Sequence, residues 1–289
     1  MGATMKKDSA ITTYIVSRLD AQSTLQAFVA AKLSVSKRAA KNLLDDRKVW
    51  VNRRCVWMAH HVLRQGDTIE VAAALNPEQK KAPPKIRVLV EDDHYLVADK
   101  PSGVLSAGEE SAEELLRAQT GLQGLQAVHR LDRDTTGCLL FAKNVTALDE
   151  AVAIFRTRRV TKLYQAVVWG KFARNASTLT EELDGERAVS HIQREAFSAD
   201  ASFLKVRIET GRTHQIRRHL ASIRHPVLGD REHGVKFARD PRLLTIPRQM
   251  LHACGIEMPH PMIPGNVLKA HSPLPADFRR CLTVFDMGK

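Results

Sequence analysis

The apolar positions change their period several times along the chain. Leu25, Phe28, Val29 and Leu33 recur at helical spacing and predict a helix within 22–33. Ser36 suits an N-cap, and Ala39, Leu43 and Leu44 continue a second helix behind it. Short β-prone runs follow at Val49–Val51, Cys55–Trp57 and Thr68–Val71, the last entered through the turn Gln65-Gly66-Asp67. This pattern predicts a small unit of two helices and a short sheet.

Residues 74–85 interrupt the pattern with Pro77, Pro83, Pro84 and a polar run, and read as a linker. We therefore expect a first domain over 1–76 with its core at about 17–72, a linker over 77–85, and a second domain over 86–289. In the second, Ile86, Val88 and Val90 alternate, as do Tyr164, Ala166 and Val168, and Leu204, Val206 and Ile208. Each set predicts a half-buried strand. Leu148, Val152 and Phe155 fall at i, i+4, i+7 and predict a helix; Ser111 to Glu114 opens another with a capping box. No internal repeat or low-complexity tract is visible. The mixture predicts an α+β fold on a mixed sheet.

Composition narrows the function class. The 289 residues are 44% hydrophobic and 26% charged, ordinary globular values. No run of eighteen apolar residues exists, which excludes a membrane-spanning helix and removes the membrane as a partner. Cys55, Cys138, Cys254 and Cys281 are scattered, which argues against a disulfide framework or structural zinc and points to a reducing, cytoplasmic setting. The start of the chain has no secretory core. Asp8 and Asp20 argue against a transit peptide, Lys6 against myristoylation, and Met5 offers an alternative start.

The formal charge is +12, and it is unevenly placed. Residues 1–85 hold 15 Lys and Arg against 7 Asp and Glu; the remaining 204 hold 29 against 25. Lys37, Arg38, Lys41, Arg47, Lys48, Arg53 and Arg54 decorate the first unit. A basic front module points to a polyanion, foremost nucleic acid.

Three stretches carry candidate chemistry. His129-Arg130-Leu131-Asp132-Arg133-Asp134-Thr135-Thr136-Gly137 is a charge-dense loop running into the apolar Cys138–Ala142. An ionised Asp132 between Arg130 and Arg133 can be a nucleophile, a base or an ion-pair partner, and the spacing alone favours the ion pair. Thr210–Ala221 places Thr213 as an N-cap, Ile216 and Leu220 toward the core, and His214 and Arg217 on one face near a helix start, a site for a phosphate or carboxylate. Lys162–Gly170 carries Tyr164 on the inward face of a strand, where a core aromatic is the plainer reading.

Together these stretches resemble the RluA family of RNA pseudouridine synthases. His129–Asp132 ending in Thr135-Thr136-Gly137 is similar to that family's central motif, with Thr136 where serine is usual. Lys162-Leu163-Tyr164 resembles the tyrosine motif and Gly211–Arg217 the third. Lys100-Pro101-Ser102-Gly103, His225-Pro226, Leu228-Gly229-Asp230 and Leu251-His252-Ala253 follow in the expected order. Residues 17–72 resemble an S4 RNA-binding domain.

The resemblance implies an S4-type domain ahead of a synthase domain on a mixed, largely antiparallel sheet. It implies isomerisation of a uridine within RNA: the C1′–N1 bond breaks, the uracil turns, and C1′ joins C5. No cofactor and no metal is called for. Asp132 becomes the catalytic carboxylate, attacking the sugar or taking a sugar proton in a glycal route. Tyr164 stacks on the flipped base and takes part in removing the C5 proton, and Arg217 pairs with Asp132. Arg130 fills the space the base vacates; His129, Arg212, His214 and Gln215 line the substrate site. Ribosomal RNA of the large subunit is the expected substrate and transfer RNA the alternative, for a monomeric protein. A non-catalytic RNA-binding or ribosome-assembly factor, and a glycosidase using Asp132 with Asp134, are the competing expectations.

Overall fold

Strand β8 (Thr136–Ala142), continuous with the charged loop, is buried at every residue and lies between two other strands. Its alternate side chains serve opposite faces. Leu139 and Phe141 join one apolar cluster, and Cys138, Leu140 and Ala142 join another. A strand buried on both sides needs a helical layer over each face of its sheet.

The structure is a computed structural model that describes residues 11–45, 47–72, 84–234 and 240–288. The chain divides into two compact units, Met1–Lys81 and Ala82–Lys289. The linker expected over 77–85 lies outside the described residues except for Pro84 and Lys85.

The first unit holds β1 (Ile11–Ile15), α1 (Leu25–Lys32), α2 (Lys37–Asp45), β2 (Val49–Val51), β3 (Arg54–Cys55) and β4 (Thr68–Ala72). Its strands are ordered β1-β4-β2-β3. Thr24 caps α1, and the Ser36 hydroxyl accepts the Ala39 amide at 3.1 Å to cap α2. Leu25, Phe28, Val29, Ala40 and Leu44 pack over Val49, Ile69 and Val71. The pattern did not predict β1, whose isoleucines point outward. The strand expected at Cys55–Trp57 stops at Cys55. Asn52 and Arg53 turn the β2–β3 hairpin with φ of 49° and 63°, both left-handed as a two-residue I′ turn requires.

The second unit adds β5 (Arg87–Glu91), β6 (Tyr95–Lys100), α3 (Ala112–Thr120), β7 (Gln126–Ala127), β8, α4 (Val145–Arg156), β9 (Thr161–Trp169), β10 (Ala176–Leu183), β11 (Glu186–Phe197), β12 (Ala201–Ile208), α5 (Gln215–Ser222), β13 (Leu251–Pro259), β14 (Val267–His271) and α6 (Ala276–Val284). Ten strands form one sheet with the order β10-β11-β12-β9-β13-β8-β6-β5; β14 pairs with β13 and β7 with β8. Among the described residues β8 and β13 are the only strands that pair in parallel, so the fold is α+β on a mixed, mostly antiparallel sheet. Helices α3 and α5 cover one face, α4 and α6 the other.

Several local expectations change. Strand β9 is not half-buried: Tyr164, Ala166 and Val168 face one cluster, while Val167 packs beside Phe278 of α6 on the reverse. A register shift between Val88 and Val90 turns Val90 to the other face from Val88. The capping box of α3 is half formed. Ser111 accepts the Glu114 amide, but Glu114 reaches back to the Glu110 amide.

Candidate active site

The loop before β8 is held by buried polar groups, which fixes where Asp132 can point. Lys100 ends β6 fully buried, and its ammonium donates to the carbonyls of Pro101, Val104 and Arg133 at 2.7–3.0 Å. The Ser106 hydroxyl accepts the Leu131 amide at 2.9 Å and donates to the Leu131 carbonyl at 3.0 Å. The Asp132 carbonyl accepts the Thr135 amide at 3.0 Å, closing a turn. Gln249 donates to the Thr135 hydroxyl at 2.7 Å, and Arg248 to the Asp134 carbonyl while forking onto Asp277.

Where the loop enters the sheet, the Thr136 hydroxyl lies 2.9 Å from Nδ1 of the buried His252. The next residue must be glycine. Gly137 has φ of 110°, and a Cβ there would stand 2.2 Å from the Ala253 carbonyl oxygen.

Asp132 finds its cation on a distant helix. Arg217 of α5 is 5% exposed and donates from Nη1 to Asp132 Oδ2 at 3.0 Å. Its Nε and Nη2 form a fork onto Asp230 at 2.6 and 2.9 Å. Burial opposes the charge on Arg217, but the bonds and charges of Asp230 and Asp132 outweigh it and raise its pKa. Burial likewise pushes Asp230 upward, and the guanidinium overcomes this to hold the carboxyl below its usual range. The ion pair expected of Asp132 therefore exists, supplied from 85 residues away.

Helix α5 begins later than predicted. Thr213 is not its N-cap; His214 is, in the left-handed region at φ 53°, with no side-chain capping bond. This places His214 Nε2 3.9 Å from Asp132 Oδ1. Ile216 and Leu220 face the core as expected.

Gln215 requires a correction. Its carbonyl accepts from the Thr210 hydroxyl and Arg212 amide, and its amide donates to Val189 O and Ser190 Oγ. All four hydrogen-bonding sites are filled by protein, so Gln215 positions the 210–215 turn and has no capacity left for a substrate bond.

A pocket of about 80 Å³ opens above this cluster. Leu131, Tyr164, Ile208, Ile216 and Leu251 form its apolar floor, continuous with the core. Arg130, Asp132, Arg212, His214 and Arg217 form its polar rim. Tyr164 is 7% exposed, and no hydrogen-bond partner for its hydroxyl occurs among the described residues. Burial, aided by the charge of Asp132, raises its pKa and keeps the phenol protonated.

The pocket continues past Tyr164, Arg130 and Arg212 into a groove of about 440 Å³. Arg156, Arg158 and Lys162 line it, cations that the residue-by-residue reading did not select. Burial lowers the Lys162 pKa to about 8. His129 forms part of the wall. Its Nε2 accepts the Leu140 amide at 3.2 Å, its ring stacks on Phe155, and burial pushes its pKa down to about 4. It faces the groove as a neutral ring with one nitrogen committed to the backbone. Arg212 is ion-paired to Glu186.

Asp134 does not line the pocket; its carboxylate meets the Ser102 hydroxyl instead, so the Asp132–Asp134 pair expected of a glycosidase is not assembled. In the first unit Lys37, Lys41, Lys48, Arg53 and Arg54 are exposed along α2 and the β2–β3 hairpin. The Arg47 guanidinium stacks 4.7 Å from the Trp57 ring centre. Arg38 lies on α2.

Comparison with known proteins agrees with this geometry. Residues 94–222, which include Asp132, Tyr164 and Arg217, match the RNA pseudouridylate synthase family. The chain is 32% identical to ribosomal large subunit pseudouridine synthase D of Haemophilus ducreyi, over 84% of each chain. It is 35% identical to the protein of that name from Xanthomonas campestris, over 76% of each. The fold is similar to human RNA pseudouridylate synthase domain containing 1, with a TM-score of 0.60 and 23% identity over 70% of this chain and 90% of that one. The motifs, the sheet and these relatives agree: the chain belongs to the RNA pseudouridylate synthase family and is an isomerase acting on uridine in RNA.

Proposed function

We propose that this chain converts uridine to pseudouridine in large-subunit ribosomal RNA, with Asp132 as the catalytic carboxylate. The observation that carries the reading is the Arg217 bond to Asp132 Oδ2 at the rim of a pocket floored by Tyr164. Arg217 orients the carboxylate and holds one oxygen, leaving the other beside His214 and open to the pocket. That oxygen meets the sugar, either at C1′ or at a proton of the glycal route. Either way the bond to N1 breaks, the uracil turns within the pocket, and C5 bonds to C1′.

Tyr164 supplies a stacking face. Flipping the target base costs a few kcal/mol, and stacking on an aromatic returns about 1–3 kcal/mol. Because these nearly cancel, Arg130, exposed at the rim, decides the balance by filling the vacated stack. The protonated Tyr164 hydroxyl relays the C5 proton rather than taking it as a phenolate.

Arg156, Arg158, Lys162 and Arg212 hold the phosphates of flanking nucleotides in the groove. The first unit acts as an S4-like RNA-binding domain through Lys37, Arg38, Lys41, Arg47, Lys48, Arg53 and Arg54. Every residue of the pocket comes from one unit of one chain, which supports a monomer. Among the described residues no helix is long and apolar enough to cross a membrane, and a ribosomal RNA substrate implies the cytoplasm.

The names of the bacterial relatives favour ribosomal over transfer RNA. Incubating the purified chain separately with protein-free large-subunit RNA and with transfer RNA tests this. Pseudouridine in the first and not the second supports the substrate assignment; the reverse replaces it.

A further inference from the structure

Behind the Arg217–Asp230 fork the chain turns back toward the catalytic loop. The Glu232 and His233 amides both donate to Asp230 Oδ1, at 2.9 and 3.0 Å. This fixes two side chains against His214. His214 Nδ1 lies 3.1 Å from His233 Nε2 and 3.3 Å from Glu232 Oε2, and His233 Nε2 lies 3.5 Å from Glu232 Oε1. Ligand atoms of a tetrahedral zinc at about 2.0–2.1 Å stand about 3.3 Å from one another. One ligand atom from each of the three side chains lies within 4.8 Å of the other two, and the Glu232 carboxylate brings a separate oxygen near each ring, so a small turn of that carboxylate brings three donors to such spacing.

Charge favours the same occupant. Arg217 is ion-paired to Asp132, Asp230 and Glu232 together. Counted over these four groups alone, the formal excess is two negative charges beside the His214 and His233 rings, which suits a divalent cation there. Two imidazoles and a carboxylate suit zinc or cobalt rather than magnesium, which prefers an all-oxygen octahedron. The Asp230 bonds to the two backbone amides hold the ligand loop from behind. The sequence reading missed this group because it looked for cysteines and for ligands close in sequence. His214 stands 19 residues from His233.

We propose that His214, Glu232 and His233 form a zinc site with an open fourth position, and that filling it slows isomerisation. The second half rests on the assignment of Asp132 as the catalytic carboxylate. Zinc on Nδ1 of His214 makes the opposite ring nitrogen a fixed, strengthened donor, and that nitrogen is 3.9 Å from Asp132 Oδ1. The oxygen left open for the sugar is then held, and a double positive charge beside it weakens it as a nucleophile.

The test uses the full chain stripped with a chelator, titrated with Zn²⁺ against a chromophoric chelator and separately with Co²⁺. Uptake of one zinc per chain and the visible absorption of tetrahedral cobalt are expected. His233→Gln should weaken binding by more than the about 10–100-fold that loss of an outer-shell partner costs. Glu232→Gln, at an exposed position, repeats the comparison if the first variant folds poorly. No uptake, or uptake unchanged in both variants, overturns the site. In the activity assay zinc should slow the wild type and leave the His233→Gln rate unchanged. Binding without slowing overturns the inhibitory role and leaves the site standing; the binding arms do not depend on the identity of the catalytic residue.

Discussion

Arg217 holds Asp132 with one nitrogen and Asp230 with the other two, so the position of the carboxylate proposed as catalytic depends on a second carboxylate that does not touch the pocket. Asp230→Asn keeps the shape but removes the charge that anchors the fork. A misplacement of about 1 Å at a reacting group can cost about 10²-fold in rate, and a loss of that order in kcat is expected with KM little changed. Arg217→Ala leaves Asp230 buried and unpaired and should lower stability by about 3–5 kcal/mol, read from urea unfolding.

Tyr164 separates stacking from hydroxyl chemistry. Its ring closes the pocket floor and its hydroxyl has no protein partner among the described residues. Tyr164→Phe should keep RNA affinity, whereas Tyr164→Ala should lose about 1–3 kcal/mol of it in a binding titration. Any activity missing in Tyr164→Phe then measures the hydroxyl. Equal affinity of the Ala and Phe variants would remove the stacking role.

The groove carries a pH signature. Burial brings Lys162 to about 8, so the side chain is charged below that pH and loses its charge as pH rises through it. Wild-type RNA affinity should fall between pH 7 and about 9 beyond what Lys162→Arg shows, because arginine stays protonated. Parallel curves would show that Lys162 does not meet phosphate.

For the first unit, neutralising Lys41, Arg53 and Arg54 together tests an electrostatic role without removing any chain. All three are exposed, so folding should be unaffected. Each phosphate contact contributes about 0.7–0.9 to the slope of log affinity against log salt, and the slope should flatten accordingly. An unchanged slope would assign the binding elsewhere.

The sequence carried the sheet and the charged loop before β8 more clearly than the partners of that loop. Strand β8 was visible from the unbroken apolar run Cys138–Ala142, although it begins two residues earlier, at Thr136, inside what read as the loop. Strand β1 was hidden because Ile11 and Ile15 face outward while Thr12 and Tyr14 face in, which reverses the usual alternation. Motif order singled out Asp132, Tyr164 and Arg217, and the fold brings the three to one pocket; from composition and spacing each had a plainer reading. Gln215 looked like a substrate contact because a polar residue in a motif gives no sign that the backbone has already claimed it. Arg248 and Gln249 went unnoticed for a related reason. They act on a carbonyl and a hydroxyl more than 110 residues away, and carbonyls leave no trace in a sequence.

The central claim is that Asp132 performs the isomerisation. Pseudouridine is mapped across total RNA from cells with the gene, without it, and with Asp132→Ala restored. Asp132 is partly exposed in a loop fixed by other residues, so the variant should fold. The account predicts a ribosomal RNA site that disappears on deletion and returns with the wild-type chain only. Return of that site with Asp132→Ala would contradict it.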